Sequence, residues 1–276
     1  MYLTLSKSDW LKALNLPSNY EVHAFIADGS YLKEERFKMF TKILNNVGYT
    51  YQLEPLKDDF LATYVWSLKV SSKAGQTFRL WYGVFYGGAA LSELTHIASI
   101  LGSQLNLLRG DVGGLHKTLK TGDMLIPLYS YGNESSTRLY ARDNPQLRFY
   151  TDEKLRESTI ELLKKHGIFN IYVKPTTTCQ AMLAESEEDI KSWQEEGFWG
   201  VEMEASTLLA VSNYFKVPAL ALLLVSDNLV TQNLVTDEEY VESHQEREKL
   251  RQNQYEVLVE LMLHQLTKPT TYANQD

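Results

Sequence analysis

Cysteine is nearly absent from this chain, and positive charge is in the minority. The single cysteine, Cys179, excludes an internal disulfide and a zinc site made of cysteines, and it fits a reducing compartment. Lysine and arginine number 27 against 35 aspartates and glutamates, which gives a formal net charge of −8. This balance argues against nucleic acid or an acidic membrane as the main partner, because phosphates attract cationic surfaces.

Long hydrophobic runs are also missing. The longest, ALALLLV at 219–225, is far too short to span a bilayer. The first residues, MYLTLSKSDW, lack the basic start and the apolar stretch of a signal peptide. With 276 residues, 44% of them hydrophobic, the chain can bury one large core. We expect one cytoplasmic domain over residues 1–276, with a C-terminal tail at about 267–276.

The most informative stretch runs from Gly200 to Asn228, GVEMEASTLLAVSNYFKVPALALLLVSDN. The apolar spacing over 201–215 predicts a helix with one buried stripe, and the apolar run over 218–225 predicts a strand covered on both faces. Glu204 lies at the start of the predicted helix, and Asp227 follows the predicted strand. Because open α/β sheets bind ligands beyond the carboxyl ends of their strands, we expect these two carboxylates to flank a small-molecule site.

The motif GVEMEAS, followed by a buried strand that ends in VSD, resembles the nucleoside phosphorylase/nucleosidase superfamily. The resemblance implies an α/β fold: a single three-layer α/β/α domain around a central mixed, partly barrel-like sheet. It also implies that Met203 and Glu204 hold the ribose, and that Asp227 protonates N7 of the leaving base, as in purine-specific members. The Glu204-to-Asp227 separation, 227 − 204 = 23 positions, is similar to that of the bacterial purine enzymes.

A second stretch, which begins RGDVGG at Arg109, is similar to the anion-binding loop of the family but departs from it at its head. The glycines at 113–114 and the Gly-Asp pair at 122–123 match the family pattern. Counted back from those glycines, the family's arginine falls on Leu108, so that Arg109 is one place off. The family's phosphate-binding Ser or Thr falls on Asp111.

Asp111 leaves three interpretations open. An ionised carboxylate there would repel phosphate, by about 4 kcal/mol for two like charges ~4 Å apart at an effective dielectric near 20. The same carboxylate could instead orient or deprotonate a water molecule, as hydrolysis requires. In the third interpretation, Asp111 only pairs with Arg109.

The first predicted strand ends in Asp28-Gly29-Ser30, where family members carry a Gly-Asp-Pro phosphate loop. Backbone amides at the start of the next helix could hold an anion, so Gly29 joins Arg109 and Asp111 as a candidate for the phosphate or water site. The alternative is that this tripeptide is only a turn and a helix cap. Three arginines of a later polar loop either replace a missing phosphate ligand or are solvated: Arg138, Arg142 and Arg148.

The segment TTTCQAM at 176–182 follows another predicted strand. In the family this segment carries a Ser/Thr run and an aromatic residue that stacks on the base. Met182 and Gln180 fall near that position and are the candidates for base binding, because a thioether can pack on a purine face. Cys179 lacks a paired base, and we interpret it as a plain buried thiol.

Purine members of the family carry an arginine on the C-terminal helix that assists the catalytic aspartate. Arg247 is the candidate here, with Arg251 behind it, on a helix predicted over 237–264. No metal or organic cofactor is implied, and phosphate would be a co-substrate of a phosphorylase. The resemblance further implies a homodimer or a higher homo-oligomer, since active sites of the family borrow residues from a neighbouring subunit.

We expect cleavage of the N-glycosidic bond of a nucleoside. The sequence favours phosphorolysis of a purine nucleoside to free base and ribose 1-phosphate, because Arg109 and the loop arginines leave room for phosphate. Hydrolysis by water is the alternative, and a non-catalytic nucleoside-binding descendant is a third possibility. The altered anion loop and the missing aromatic residue favour such a binder, whereas the pair Glu204 and Asp227 argues against it.

Overall fold

The computed structural model describes residues 2–231 and 244–267. Ten strands form one mixed sheet: β1 (Ala24–Gly29), β2 (Tyr49–Glu54), β3 (Val65–Ser72), β4 (Thr77–Phe85), β5 (Asn106–Gly114), β6 (Met124–Tyr131), β7 (Arg148–Tyr150), β8 (Ile171–Thr178), β9 (Gly200–Glu202) and β10 (Ala219–Asn228). The α-helices within these ranges are α1 (Lys7–Ala13), α2 (Lys33–Asn46), α3 (Asp59–Tyr64), α4 (Gly88–Ile100), α5 (Ser135–Tyr140), α6 (Glu153–Lys165), α7 (Glu187–Glu195), α8 (Ala205–Phe215) and α9 (His244–Thr267).

The sheet closes on itself over part of its width. Its strands follow the order β10-β6-β8-β9-β5, and β5 also pairs with β10, so these strands form a closed, barrel-like unit. From β5 the sheet continues outward through β1, β4, β3 and β2. The predicted α/β fold with a partly barrel-like mixed sheet is therefore confirmed.

Helices cover both faces of the sheet, as β10 illustrates. Its residues at 219, 221, 223 and 225 pack into one core with α1, α4 and α8, whereas those at 220, 222 and 224 pack into a second core with α2, α6 and α9. Side chains alternate between the faces of a strand, so an unbroken apolar run is what a strand buried on both sides requires. The buried strand predicted at this place is confirmed.

β10 extends farther than its apolar run. The strand pairs with β5 as far as Asn228, and a bulge lies between Val225 and Asp227. The bulge lets Asp227 pair with Gly113, the register position that residue 226 would otherwise take. Asp227 thus lies inside the strand, turned by the bulge, and not beyond its end as the sequence suggested.

The helix predicted from residue 201 begins later. Gly200–Glu202 form the short strand β9, and α8 starts at Ala205. The carboxylate of Glu202 accepts hydrogen bonds from the backbone amides of Glu204 (2.7 Å) and Ala205 (2.5 Å). A carboxylate at a helix start satisfies amides that have no partner within the helix, and this fixes where α8 begins.

The long C-terminal helix is described from His244 onward. The first part of the predicted helix, 237–243, and the predicted tail beyond Thr267 lie outside the described residues. Among residues 2–231 and 244–267, none of the helices combines the length and the apolar character that crossing a bilayer demands.

Lys216 ends α8 in the left-handed conformation, with φ of 57°. Glycine adopts this conformation without the steric cost that a Cβ brings. We expect Lys216→Gly to raise the free energy of unfolding by about 0.5–1 kcal/mol in urea denaturation. The control Lys42→Gly, at an exposed position inside α2, should lower the free energy of unfolding by about 1 kcal/mol. A loss of stability in both variants would contradict the assignment.

Candidate active site

A buried ionic network lies where β1 and β5 run side by side. Arg109 of β5 is fully buried, and its guanidinium donates to Asp28 (3.1 Å), to Gln254 (3.1 Å) and to Asp111. Arg109 and Asp111 are two residues apart on one strand, so they share the sheet face that α9 covers. The pairing of Asp111 with Arg109, one of the three interpretations left open, is present in the structure.

The network continues from Asp111 to the protein surface. Arg251 of α9 donates to Asp111 (2.6 Å) and to Glu248 (2.7 Å), and Glu248 accepts from Arg36 of α2 (3.0 Å). Burial raises the pKa of Asp111, but Arg109 and Arg251 outweigh it and hold the pKa below its ordinary value. Asp111 is therefore an anion, and its side chain is 28% exposed.

Asp28 is held from the other side by two tyrosines. The hydroxyls of Tyr82 (2.9 Å) and Tyr255 donate to its carboxylate, and all three residues are buried. Asp28 is thus a partner of Arg109 and not a helix cap, and the residue before α2, Leu32, makes no side-chain cap. The tripeptide at 28–30 serves the network and not a turn alone.

Glu204 lies next to the end of β1. Its Oε1 atom accepts from the amide of Gly87 (2.7 Å), and its Oε2 atom lies 2.8 Å from where a Cβ on Gly29 would be. Gly29 therefore leaves room for the carboxyl group, which is a packing role. Burial and the neighbouring Glu202 and Asp28 raise the pKa of Glu204 to about 8, so it carries a proton at neutral pH.

Glu202 has a structural role. Besides capping α8, it accepts hydrogen bonds from the hydroxyls of Thr178 and Ser130 (3.4 Å). Burial raises its pKa to about 7. The two acids of the VEME motif therefore differ: Glu202 holds the helix start, and Glu204 faces the edge where β1 ends.

Asp227 occupies the opposite side of the network. It accepts a hydrogen bond from Ser226 (2.6 Å), and its side chain is close enough to Asp111 and Arg247 to feel both charges. Burial raises the pKa of Asp227, Ser226 and Arg247 oppose this, and Asp111 adds to it, for a net increase. Asp227 therefore keeps a proton to higher pH than an ordinary aspartate.

The base-binding candidates, Gln180 and Met182, follow β8 and differ in their contacts. Met182 is 45% exposed on a short 3₁₀ helix, 182–184. Gln180 uses its side-chain amide on the backbone: it accepts from Gly88 (2.8 Å) and donates to Met203 (2.9 Å). The carbonyl group of Met203 thus contacts Gln180, and Met203 is partly exposed.

Several residues of the site were missed in the sequence. Glu185 hydrogen-bonds Cys179 and lies near Asp227; burial and Asp227 raise its pKa to about 7. The Cys179 thiol is only partly buried, and burial raises its pKa. The site also contains residues from distant elements: Tyr82 from β4, and Gln254 and Tyr255 from α9. In the sequence, only the alternation along β4 and the helical spacing of α9 could have indicated them.

A cleft of about 940 Å³ adjoins the glycine turn at 87–88. Gln180 and Arg142 line it together with aromatic residues, among them Trp10 and Tyr140. All three loop arginines are exposed. Arg138 donates to Asn133 (2.7 Å), and Arg148 lies over the ring of Tyr129. The loop arginines thus lie away from the Arg109 network, on the outer surface or at this cleft.

The arrangement places two acids with raised pKa values, Glu204 and Asp227, beside a charge-balanced network. Glu204 lies near Asp28 of the network, and Asp227 lies near Asp111. A protonated acid can donate to a leaving group, and an anion near it can orient water. Such a pair suits cleavage of a bond whose leaving group must gain a proton.

Comparisons with known proteins show which enzymes this chain resembles. Purine nucleoside phosphorylase of DeoD type from Clostridium beijerinckii is 31% identical over 135 residues, which cover 49% of this chain and 56% of that protein. The same enzyme type from Clostridium novyi is 29% identical over 142 residues, 49% of this chain and 57% of that protein. The chain thus spans little more than half the length of the curated relatives it matches.

Solved structures match over more of the chain. The native futalosine hydrolase of Helicobacter pylori strain 26695 superimposes with a TM-score of 0.64 at 21% identity, over 90% of this chain and 100% of that one. At this identity the likeness concerns the fold. The family model described as the phosphorylase superfamily matches residues 98–262, more than half of the chain. The chain therefore belongs to the phosphorylase superfamily.

Proposed function

We propose that this protein is an enzyme that cleaves the N-glycosidic bond of a nucleoside, and that water, not phosphate, takes up the sugar. One observation carries the choice of water: Asp111 pairs with both Arg109 and Arg251. Asp111 stands where the resemblance places the phosphate-binding Ser or Thr of the family. A carboxylate of the protein thus holds the cations that a phosphate would need.

Charge balance supports this proposal. The network joins three guanidiniums to three carboxylates in alternation: Asp28, Arg109, Asp111, Arg251, Glu248 and Arg36. A phosphate ion placed ~4 Å from Asp111 would meet a repulsion of about 4 kcal/mol per unit charge at an effective dielectric near 20. A water molecule meets no such cost and gains a hydrogen-bond acceptor.

The proposed roles use the raised pKa of Asp227 and the negative charge of Asp111. Glu204, with Met203, holds the ribose hydroxyls, and Asp227 gives its proton to the base as the bond breaks. Arg247 then stabilises the aspartate anion that remains. Asp111 orients the attacking water, because its lowered pKa makes it a poor base, and the proton that the water loses as it bonds the sugar returns to Asp227. These residues need no metal or organic cofactor.

Phosphorolysis of a purine nucleoside is the second candidate. The names of the curated relatives favour it, and the sequence alone favoured it because Arg109 and the loop arginines left room for phosphate. The burial of Arg109 removes that reason. A purine base is preferred in either case, because Asp227 corresponds to the aspartate that protonates N7 in purine-specific members. A homodimer or higher homo-oligomer and a cytoplasmic location stay predictions of the sequence.

Base release should depend on Asp227 and not on phosphate. We expect the protein to release base from inosine, adenosine or methylthioadenosine faster than from uridine, at equal rates with and without phosphate. Asp227→Asn should slow release by about 10²- to 10⁴-fold, because the leaving base loses its proton donor. The control Asp143→Asn, in an exposed loop, should keep the wild-type rate. Release that requires phosphate would contradict the proposal.

Removing the built-in anion should create a phosphate site. In Asp111→Ser, Arg109 and Arg251 lose their shared carboxylate, and we expect phosphate to speed base release about tenfold or more and ribose 1-phosphate to appear. Calorimetry should detect phosphate binding to this variant and none to Asp143→Ser. If phosphate neither binds Asp111→Ser nor changes its rate, Asp111 does not occupy an anion site.

The protonation of Glu204 should be visible in stability. Its pKa rises from an ordinary 4.5 to about 8 on folding, so the folded state binds the extra proton between these values. The contribution of Glu204 to stability is therefore full below pH 4.5 and is lost as pH rises through 8, at about 1.4 kcal/mol per pH unit. Glu204→Gln should flatten this decline in urea denaturation at pH 5 to 9. The exposed control Glu157→Gln should follow the wild type, and an equal decline in Glu204→Gln would disprove the assignment.

A further inference from the structure

Three hydrogen bonds close a ring around the turn between β4 and α4. The amide of Gly87 donates to Glu204 (2.7 Å), the amide of Gly88 donates to Gln180 (2.8 Å), and the Gln180 side chain donates to the carbonyl of Met203 (2.9 Å). Met203 and Glu204 are neighbours in the chain, as are Gly87 and Gly88. The ring therefore joins the ends of β4, β8 and β9 through one glutamine side chain.

The turn is packed directly against Gln180. A Cβ on Gly88 would lie 2.8 Å from Nε2 of Gln180 and 2.3 Å from the hydroxyl of Thr207. Gly87 has φ of 92°, a conformation that favours glycine, and its Cβ would lie 2.9 Å from Oε1 of Gln180. Because neither glycine has a side chain, the backbone can approach the glutamine closely enough for both of its bonds.

Only a side-chain amide fits between these two backbone groups. Gln180 must accept from an N–H group at one end and donate to a carbonyl at the other. A glutamate would set a second oxygen against the carbonyl of Met203, and a leucine would bond neither group. Gln180 thus uses one acceptor position and one N–H group on backbone groups beside Glu204.

We propose that Gln180 is a positioning residue for sugar recognition, which acts by holding the Gly87 turn and the Met203 carbonyl so that Glu204 is fixed in one orientation. The proposal rests on the proposed function, because it takes Glu204 as the group that binds the ribose. With Oε1 of Glu204 bound to the amide of Gly87, Oε2 lies against Gly29 at the end of β1. The ring thereby presents one defined oxygen to the sugar hydroxyls.

The test compares sugars with and without hydroxyl groups. Gln180→Leu should lower kcat/KM for a ribonucleoside about tenfold, the scale of one or two net hydrogen bonds, mainly through KM. For the 2′,3′-dideoxynucleoside of the same base the change should stay within about twofold, since its sugar cannot bond Glu204. In protein that already carries Glu204→Gln, adding Gln180→Leu should change kcat/KM for the ribonucleoside little. Gln194→Leu, at an exposed position of α7, serves as the control.

Amide hydrogen exchange tests, without any substrate, whether Gln180 holds the ring of hydrogen bonds together. In Gln180→Leu the amides of Gly87 and Gly88 should exchange about tenfold faster or more, while Gln194→Leu leaves them at the wild-type rate. Unchanged exchange would overturn the proposal, as would equal losses for ribose and dideoxyribose substrates or an altered preference among bases. If the wild-type protein cleaves no nucleoside, the proposed function fails, whereas the exchange rates still show whether Gln180 holds the turn.

Discussion

A guanidinium group buried in the middle of the sheet sets the conditions for the rest of this structure. Arg109 has no access to solvent, so its charge must be balanced by the protein, and Asp28 and Asp111 provide the balance. Removing one partner of a buried ion pair typically costs about 3–5 kcal/mol, because the other charge is left uncompensated. Gln254 extends the same constraint to α9, which it ties to the sheet through bonds to Arg109, Gly110 and Leu222.

The constraint also acts on two carboxyl groups of the site, Glu204 and Asp227, whose pKa values are raised. Two carboxylates of the network each lie near one of these acids: Asp28 near Glu204, and Asp111 near Asp227. Burial raises the pKa of both acids, and the nearby anion adds to the effect. The charge that stabilises Arg109 thus prepares the acid that the proposed reaction requires.

Much of this could be predicted from the sequence, because it depends on local pattern. The apolar run before Asp227 gives a strand buried on both faces, and the spacing from Glu204 to Asp227 gives the family. The pairing of Arg109 with Asp111 also follows from their two-residue spacing on a strand, once that strand is known to extend to Gly114. Without the bounds of that strand, the pairing was one of three alternatives.

Other features depend on contacts between distant segments, which no local pattern reports. The bulge that turns Asp227 is a matter of register between β10 and β5, and apolar periodicity cannot show it. Gln180 was assigned to the base from its position in the chain, but its partners Gly88 and Met203 come from other strand ends. Arg251 was placed behind Arg247, and only the packing of α9 on the sheet brings it to Asp111.

The central claim is that Asp111 takes the place of a phosphate ion, and the origin of the new oxygen on the sugar tests it most directly. Cleavage of a purine nucleoside would be run in ¹⁸O-labelled water with excess unlabelled phosphate, and the sugar product analysed by mass spectrometry. The account predicts free ribose that carries one ¹⁸O atom, with no ribose 1-phosphate. Ribose 1-phosphate without the label would contradict it.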